Sequence, residues 1–270
     1  MSTGSAQLSS EQGLWLRRFG GVVSRDTEVR LICFPHAGGA ASFFRPVARA
    51  LSPRVDVLAV QYPGRQDRRA EAPVRSIGEL ANRIAAVLTE PLGSELPTAF
   101  FGHSMGAVTA YEVARRLDRV KGMGEASPFR LFVSGRRAPS IERDEAVHLR
   151  DDAGLIAEVA SLGGTDSMVL SDPELRAMVL PALKADYLAI ETYRYSRAAG
   201  EPAPCPVTVL IGDTDPHTTP AEGRAWSSHA SAGDCELLEL TGGHFFLVDR
   251  SVEVLDLLRS RLLPRTGRPR

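Results

Sequence analysis

A serine, a histidine and a carboxylate, far apart in this chain, are placed where they can cooperate in nucleophilic chemistry. The serine is Ser104, in Gly102-His103-Ser104-Met105-Gly106. A pentapeptide of the form G-x-S-x-G is short enough to arise by chance, so its surroundings decide its meaning. PTAFF precedes it and reads as a strand. AVTAYEVARRL follows it and reads as an amphipathic helix, with Ala107, Ala110, Tyr111 and Ala114 on one face. Strand, tight turn, helix is the setting that lifts a serine clear of a sheet on a strained bend, where flanking side chains would collide and glycines are required. The N-terminus of the following helix then stabilises negative charge beside the hydroxyl.

A serine hydroxyl is a weak nucleophile until a base takes its proton. Of the six histidines, His244 stands in GGHFFL, after the last predicted strand and before the final helix. The chain order Ser…Asp…His puts the base there. His103 lies within the turn with its side chain directed elsewhere, His148 falls in a helical insertion, and His229 ends a helical stretch. The acid that orients the base belongs after the preceding strand, where VTVLI runs into Gly212-Asp213-Thr214-Asp215. Asp215 is far enough past the strand for the loop to turn back toward His244, and is the expected partner. Asp213 is the expected turn former, satisfying backbone N–H groups. The earlier strand ends in Ser134-Gly135-Arg136-Arg137 and offers no carboxylate, which argues against an acid placed there.

Acyl-transfer chemistry also needs donors for a developing oxyanion. One is expected from the Met105 backbone, directly after the nucleophile. The other is expected from Ala37, in Pro35-His36-Ala37-Gly38-Gly39-Ala40, where small residues let the backbone approach an alkoxide.

The elements that must hold these residues follow from the patterning. Arg30–Phe34, Val55–Val60, Pro97–Phe101, Phe129–Ser134, Val207–Ile211 and Cys235–Leu240 are short, apolar runs that predict buried strands. Helical spacing over Ser76–Glu90, Ala107–Leu117 and Val252–Leu263 alternates with them. That alternation predicts an α/β chain with a mostly parallel central sheet covered by helices on both faces. From Arg136 to Pro206 no strand is expected; helices are predicted over Asp151–Leu162 and Asp172–Tyr195, the second kinked or broken at Pro181. This interval predicts a helical lid over about 138–204, inserted between two core strands. Leu155, Val159, Met178, Leu183, Tyr187 and Leu188 within it suit either an acyl channel or simple packing. The expected organisation is one domain over 14–263, a disordered N-terminus over 1–13 and a frayed tail over 264–270.

Bulk properties narrow the function further. With 270 residues, 43% hydrophobic and 24% charged, the chain is ordinary globular material, and its net charge of -1 gives no electrostatic reason to expect nucleic acid or an acidic membrane as partner. MSTGSAQLSSEQG lacks the apolar core of a signal peptide, and no apolar run approaches the ~20 residues of a membrane span. Cys33, Cys205 and Cys235 are too scattered for a disulfide framework or zinc site. A cytoplasmic protein that needs neither metal nor cofactor is expected.

Five stretches, LICFPHAGG, VQYPGRQDR, FFGHSMGA, LFVSGRRAP and GGHFFL, together resemble the type II, stand-alone thioesterases that accompany polyketide synthases and nonribosomal peptide synthetases. The resemblance runs from about Trp15 to the final helix. It implies an α/β-hydrolase fold with a helical lid, a Ser104–Asp215–His244 triad and an oxyanion hole from Met105 and Ala37. It also implies an editing activity: hydrolysis of stalled or wrong acyl groups from the phosphopantetheine arm of acyl or peptidyl carrier proteins, by a monomeric enzyme. A chain-terminating thioesterase, a serine carboxylesterase acting on oxygen esters and a non-catalytic carrier-binding protein are the alternatives. The loop Tyr62–Arg69 concentrates positive charge. Arg65 and Arg68 there would either contact an acidic carrier or, the favoured expectation, pair with Asp67, Glu71 or backbone to stiffen the loop.

Overall fold

Each apolar run read as a strand forms one in the computed structural model, which describes residues 8–21, 23–119, 127–163, 172–196, 202–231 and 234–263. The strands are β1 (Leu16–Arg18), β2 (Val29–Phe34), β3 (Val55–Val60), β4 (Thr98–His103), β5 (Arg130–Ser134), β6 (Val207–Gly212) and β7 (Cys235–Leu240). They form a single sheet in the order β1-β3-β2-β4-β5-β6-β7. β1 pairs antiparallel with β3, and every other pairing is parallel. This is an α/β-hydrolase fold. The short polar β1 (LRR) carries no apolar run, which is why the pattern did not announce it.

The helices are α1 (Ser10–Trp15), α2 (Arg45–Leu51), α3 (Ile77–Leu88), α4 (Met105–Arg119), α5 (Asp152–Leu162), α6 (Pro173–Glu191), α7 (Pro220–Arg224), α8 (Phe246–Asp249) and α9 (Ser251–Leu262). Successive strand residues point to opposite faces, so the sheet separates two apolar layers. Ile32, Phe34, Leu58, Val60, Phe100 and Val209 pack with α3 and α4. Leu31, Cys33, Val57, Ala59, Phe101 and Leu210 pack with α2, α8 and α9. Burial on both faces explains why these strands read as continuous apolar runs rather than alternating ones.

Two expectations are narrowed by the structure. The N-terminus expected to be disordered through residue 13 is helical from Ser10: Ser9 and Gln12 close a capping box, and the buried Gln12 amide donates to the Glu90 and Pro91 carbonyls. At Pro181, where a kink or a break was expected, the helix does not break: α6 runs from Pro173 to Glu191. Pro181 is exposed, so water can serve the carbonyl that its missing N–H leaves free. It marks where the helix passes from a largely exposed half, with Met178 59% exposed, to a buried half containing Ala182, Leu183, Ala185 and Asp186.

Between β5 and β6 the described residues hold α5, α6 and a short 3-10 turn over Val147–Leu149, with no strand. This insertion has its own apolar cluster of Val147, Leu155, Val159, Leu183 and Tyr187, against which Ala37 and Leu180 pack. Those side chains are therefore core, as their helical spacing allowed. The tail over 264–270 lies outside the described residues.

Candidate active site

The turn between β4 and α4 is built around contacts that exclude side chains. Ser104 adopts φ 54°, a left-handed conformation that is costly for a residue with a Cβ. A Cβ on Gly102 would sit 2.6 Å from the Ala107 Cα, and one on Gly106 would overlap the Phe34 carbonyl and lie 2.6 Å from the Pro35 oxygen. The glycines thus let α4 begin directly over the strand and against the end of β2. The strained serine is pinned by its N–H, which donates to the Ser134 carbonyl at 2.8 Å, and by its carbonyl, which accepts from the Ala107 N–H at 3.0 Å.

Asp215 and His244 are brought together by neighbouring strands. β6 and β7 pair in register from Val207–Cys235 to Gly212–Leu240, so the loops after them emerge side by side. The His244 Nδ1 lies 2.9 Å from Asp215 Oδ2 and 3.1 Å from Oδ1. The carboxylate also accepts the His217 N–H at 2.9 Å. Both side chains are buried, and Nδ1 is the ring nitrogen that is engaged. An N–H on Nδ1 leaves the Nε2 lone pair available as a base. Asp213 accepts the Gly242 N–H at 2.9 Å, holding the two loops together without touching the imidazole.

Ser104 joins this pair through its neighbour. The His103 ring packs on the His244 ring with centroids 5.0 Å apart, and its Nδ1 meets Ser134 Oγ at 3.0 Å. His103 is thus directed into the packing, away from the Ser104 hydroxyl. No hydrogen bond links Ser104 Oγ to His244 among the described residues; such bonds often form only with substrate in place. Burial, and then repulsion from His244, push the His103 imidazole well below its ordinary value. Burial lowers His36 to about 3, with His244 and then Arg65 contributing. Both rings stay neutral, so neither competes as a cation with His244.

Two of the remaining histidines are engaged elsewhere. His148 pairs with Glu191, and His229 bonds Tyr111 Oη at 3.1 Å and Ser140 Oγ at 2.8 Å. His217 packs edge-on to His244, with centroids 5.3 Å apart; nothing in its sequence surroundings signalled that contact.

The two expected oxyanion donors stand on the two segments that meet at Gly106. Met105 opens α4, so its N–H has no intrahelical acceptor. Ala37 follows β2, whose last residue Phe34 touches Gly106, and its N–H donates to no described residue. Arg65 and Arg68 of the charged loop are buried, whereas Arg69 is exposed. Arg68 pairs with Glu71 and the Gln61 carbonyl, whereas Arg65 pairs not with Asp67 or Glu71 but with Asp186 in α6. Asp67 pairs instead with Arg17. Sequence reasoning passed over Asp186, although a carboxylate between Leu183 and Ile190 on the apolar side of a helix is a usable signal.

Among the described residues no group of three or more His, Cys, Asp or Glu side chains is placed to hold a metal ion.

Comparison with known proteins gives the family. A thioesterase-domain family model matches residues 29–262. The chain is 46% identical to "Thioesterase PikA5" of Streptomyces venezuelae over 262 residues, covering 97% of this chain and 90% of that one. The solved structure of the type II thioesterase BorB from the borrelidin biosynthetic cluster superposes with a TM-score of 0.82 at 47% identity, covering 93% of this chain and 98% of that one. The RedJ thioesterase from the prodiginine pathway in Streptomyces coelicolor gives 0.78 at 38% identity, covering 87% and 86%. The chain belongs to the thioesterase-domain family and is a serine thioesterase of the type II kind found in polyketide and nonribosomal peptide systems.

Proposed function

We propose that Ser104, His244 and Asp215 are the catalytic triad of an editing enzyme that clears acyl groups from carrier-bound phosphopantetheine. His244 Nε2 takes the Ser104 proton as Oγ attacks the thioester carbonyl, and the Met105 and Ala37 N–H groups hold the oxyanion. The tetrahedral intermediate collapses, His244 returns the proton to the departing thiolate, and an acyl-serine remains. Water, deprotonated by His244, then attacks the acyl-serine, and the free acid leaves as Ser104 regains its proton. Asp215 stays ionised throughout, orienting the ring and stabilising its imidazolium form. The helical insertion serves as the lid over this site. The observation that carries the mechanism is the buried Asp215–His244 hydrogen bond, which commits Nδ1 and frees Nε2.

The partners are carrier domains bearing acyl-phosphopantetheine, and the enzyme acts as a monomer in the cytoplasm. Among the described residues no helix is long and apolar enough to cross a membrane. The decisive experiment loads an acyl or peptidyl carrier protein with acetyl, propionyl and longer groups and follows release of the free acid. Hydrolysis by the native protein and its loss in Ser104→Ala support the proposal. Faster turnover of matched oxygen esters than of acyl-pantetheine thioesters would make it a carboxylesterase instead.

A further inference from the structure

We infer that Asp186 and Arg65, which take no part in the triad, are positioning residues for the oxyanion donor at Ala37, so that a helix of the insertion completes the hole. The inference rests on the acyl-serine mechanism proposed above. Residues 35–40 contain no helix or strand, and a backbone donor on such a loop is only as well placed as the contacts that hold it.

Those contacts come from two distant segments. The Gly38 N–H donates to Asp186 Oδ2 at 2.7 Å, and Arg65 Nη1 donates to the Gly39 carbonyl at 2.9 Å. The guanidinium and carboxylate join as a fork, Nη1 to Oδ2 and Nη2 to Oδ1, both at 2.8 Å. Gln61 ties in the flanks, accepting the Ala41 N–H at 2.9 Å and donating to the Arg65 carbonyl at 3.1 Å. The Tyr62 hydroxyl donates to the Pro35 carbonyl at 3.3 Å. The loop is thus anchored on both sides of Ala37, while the Ala37 N–H itself has no described acceptor.

Electrostatics explains why a pair is needed rather than a lone carboxylate. Asp186 is fully buried and Arg65 is 8% exposed. A buried ion pair is poor at raising stability, because desolvation consumes most of its attraction. It is good at fixing geometry, because the planar fork accepts one arrangement. An unpaired Asp186 charge beside the loop would repel a developing oxyanion, and Arg65 cancels it. Asp186 belongs to α6, and its neighbours Leu183 and Tyr187 share the apolar cluster that Ala37 joins. Docking of α6 therefore adds the Gly38 anchor to those that residues 61–65 supply.

The test uses Asp186→Asn, Arg65→Gln and the double variant in the full chain, with acyl-pantetheine thioesters as substrate. Asp186→Asn is expected to lower kcat by about 10- to 100-fold with KM changed by less than about threefold. Affinity for a trifluoromethyl ketone analogue of the thioester should fall by the same factor as kcat/KM. Arg65→Gln, which leaves a naked carboxylate, should be the worse single change, and the double variant should recover part of that loss. If Asp186→Asn does not fold, Arg65→Lys, which keeps the charge but loses the fork, is read by the same kcat and inhibitor measurements. Unchanged kcat and inhibitor affinity in a folded variant would overturn the inference, as would losses in KM alone. Absence of Ser104-dependent hydrolysis in the native protein would instead overturn the mechanism beneath it.

Discussion

Gly212 at the end of β6 lies directly against Gly242 in the loop after β7: a Cβ at 212 would overlap the carbonyl oxygens of Gly242 and Gly243. The two loops are also laced by the Asp213 N–H to the Leu240 carbonyl at 2.9 Å and the Thr214 N–H to the Gly242 carbonyl at 3.1 Å. One loop carries Asp215 and the other His244, so this close approach sets the distance between them. The obstructing atoms are backbone and cannot swing aside. Gly212→Ala is expected to push the loops apart and reduce kcat/KM by about 100-fold, although residue 212 carries no reactive group. Steady-state hydrolysis of acetyl-pantetheine checks this; retention of native activity would show that the loops can separate without cost.

Ser104→Ala and His244→Ala should each lower turnover by several orders of magnitude, and the double variant should be little worse than either alone, because triad members act as a unit. A fluorophosphonate probe should label the native protein and not Ser104→Ala. Additive losses in the double variant would mean that the two residues do not act in one step.

Asp215→Ala should cost far more activity than Asp213→Ala. Loss of the first carboxylate frees Nδ1 and the ring's orientation, whereas loss of the second removes one backbone acceptor for Gly242. Comparing kcat for the two variants on the same thioester is sufficient, and the reverse ranking would reassign the acid.

Stability should decline on mild acidification for a reason built into the site. Burial holds His36 down to about 3 and His103 well below the ordinary value. In the unfolded chain both return to about 6.5. Below that pH the unfolded state binds protons that the folded state refuses, so the stabilisation is complete above about 6.5 and is lost progressively as pH falls, for His36 toward about 3 and for His103 in the same direction. Thermal midpoints from pH 8 to pH 5 should drop more steeply for the native protein than for His36→Asn, and equal slopes would contradict this account.

Much of the site was legible in the chain because its parts are local. A strand, a glycine-flanked serine and an amphipathic helix occupy one continuous stretch, and steric exclusion at Gly102 and Gly106 acts over a few residues. His244 and Asp215 could be chosen by their positions after particular strands, since parallel strands deliver their following loops to one edge. Packing across the molecule was not legible. α1 is ordered because Gln12 reaches carbonyls 78 and 79 residues away. α6 continues through Pro181 because that residue faces solvent.

Composition and spacing alone determined that this chain folds around a mostly parallel sheet with Ser104 on a glycine-flanked turn at its edge, because those features follow from backbone sterics and hydrophobic period. Only the tertiary structure decided what holds the oxyanion loop. Arg65 and Asp186 are 121 residues apart, and nothing near either one in the chain names the other. Their partnership exists because docking α6 removes both charges from water, and once buried each neutralises the other beside its backbone partner at Gly38 or Gly39.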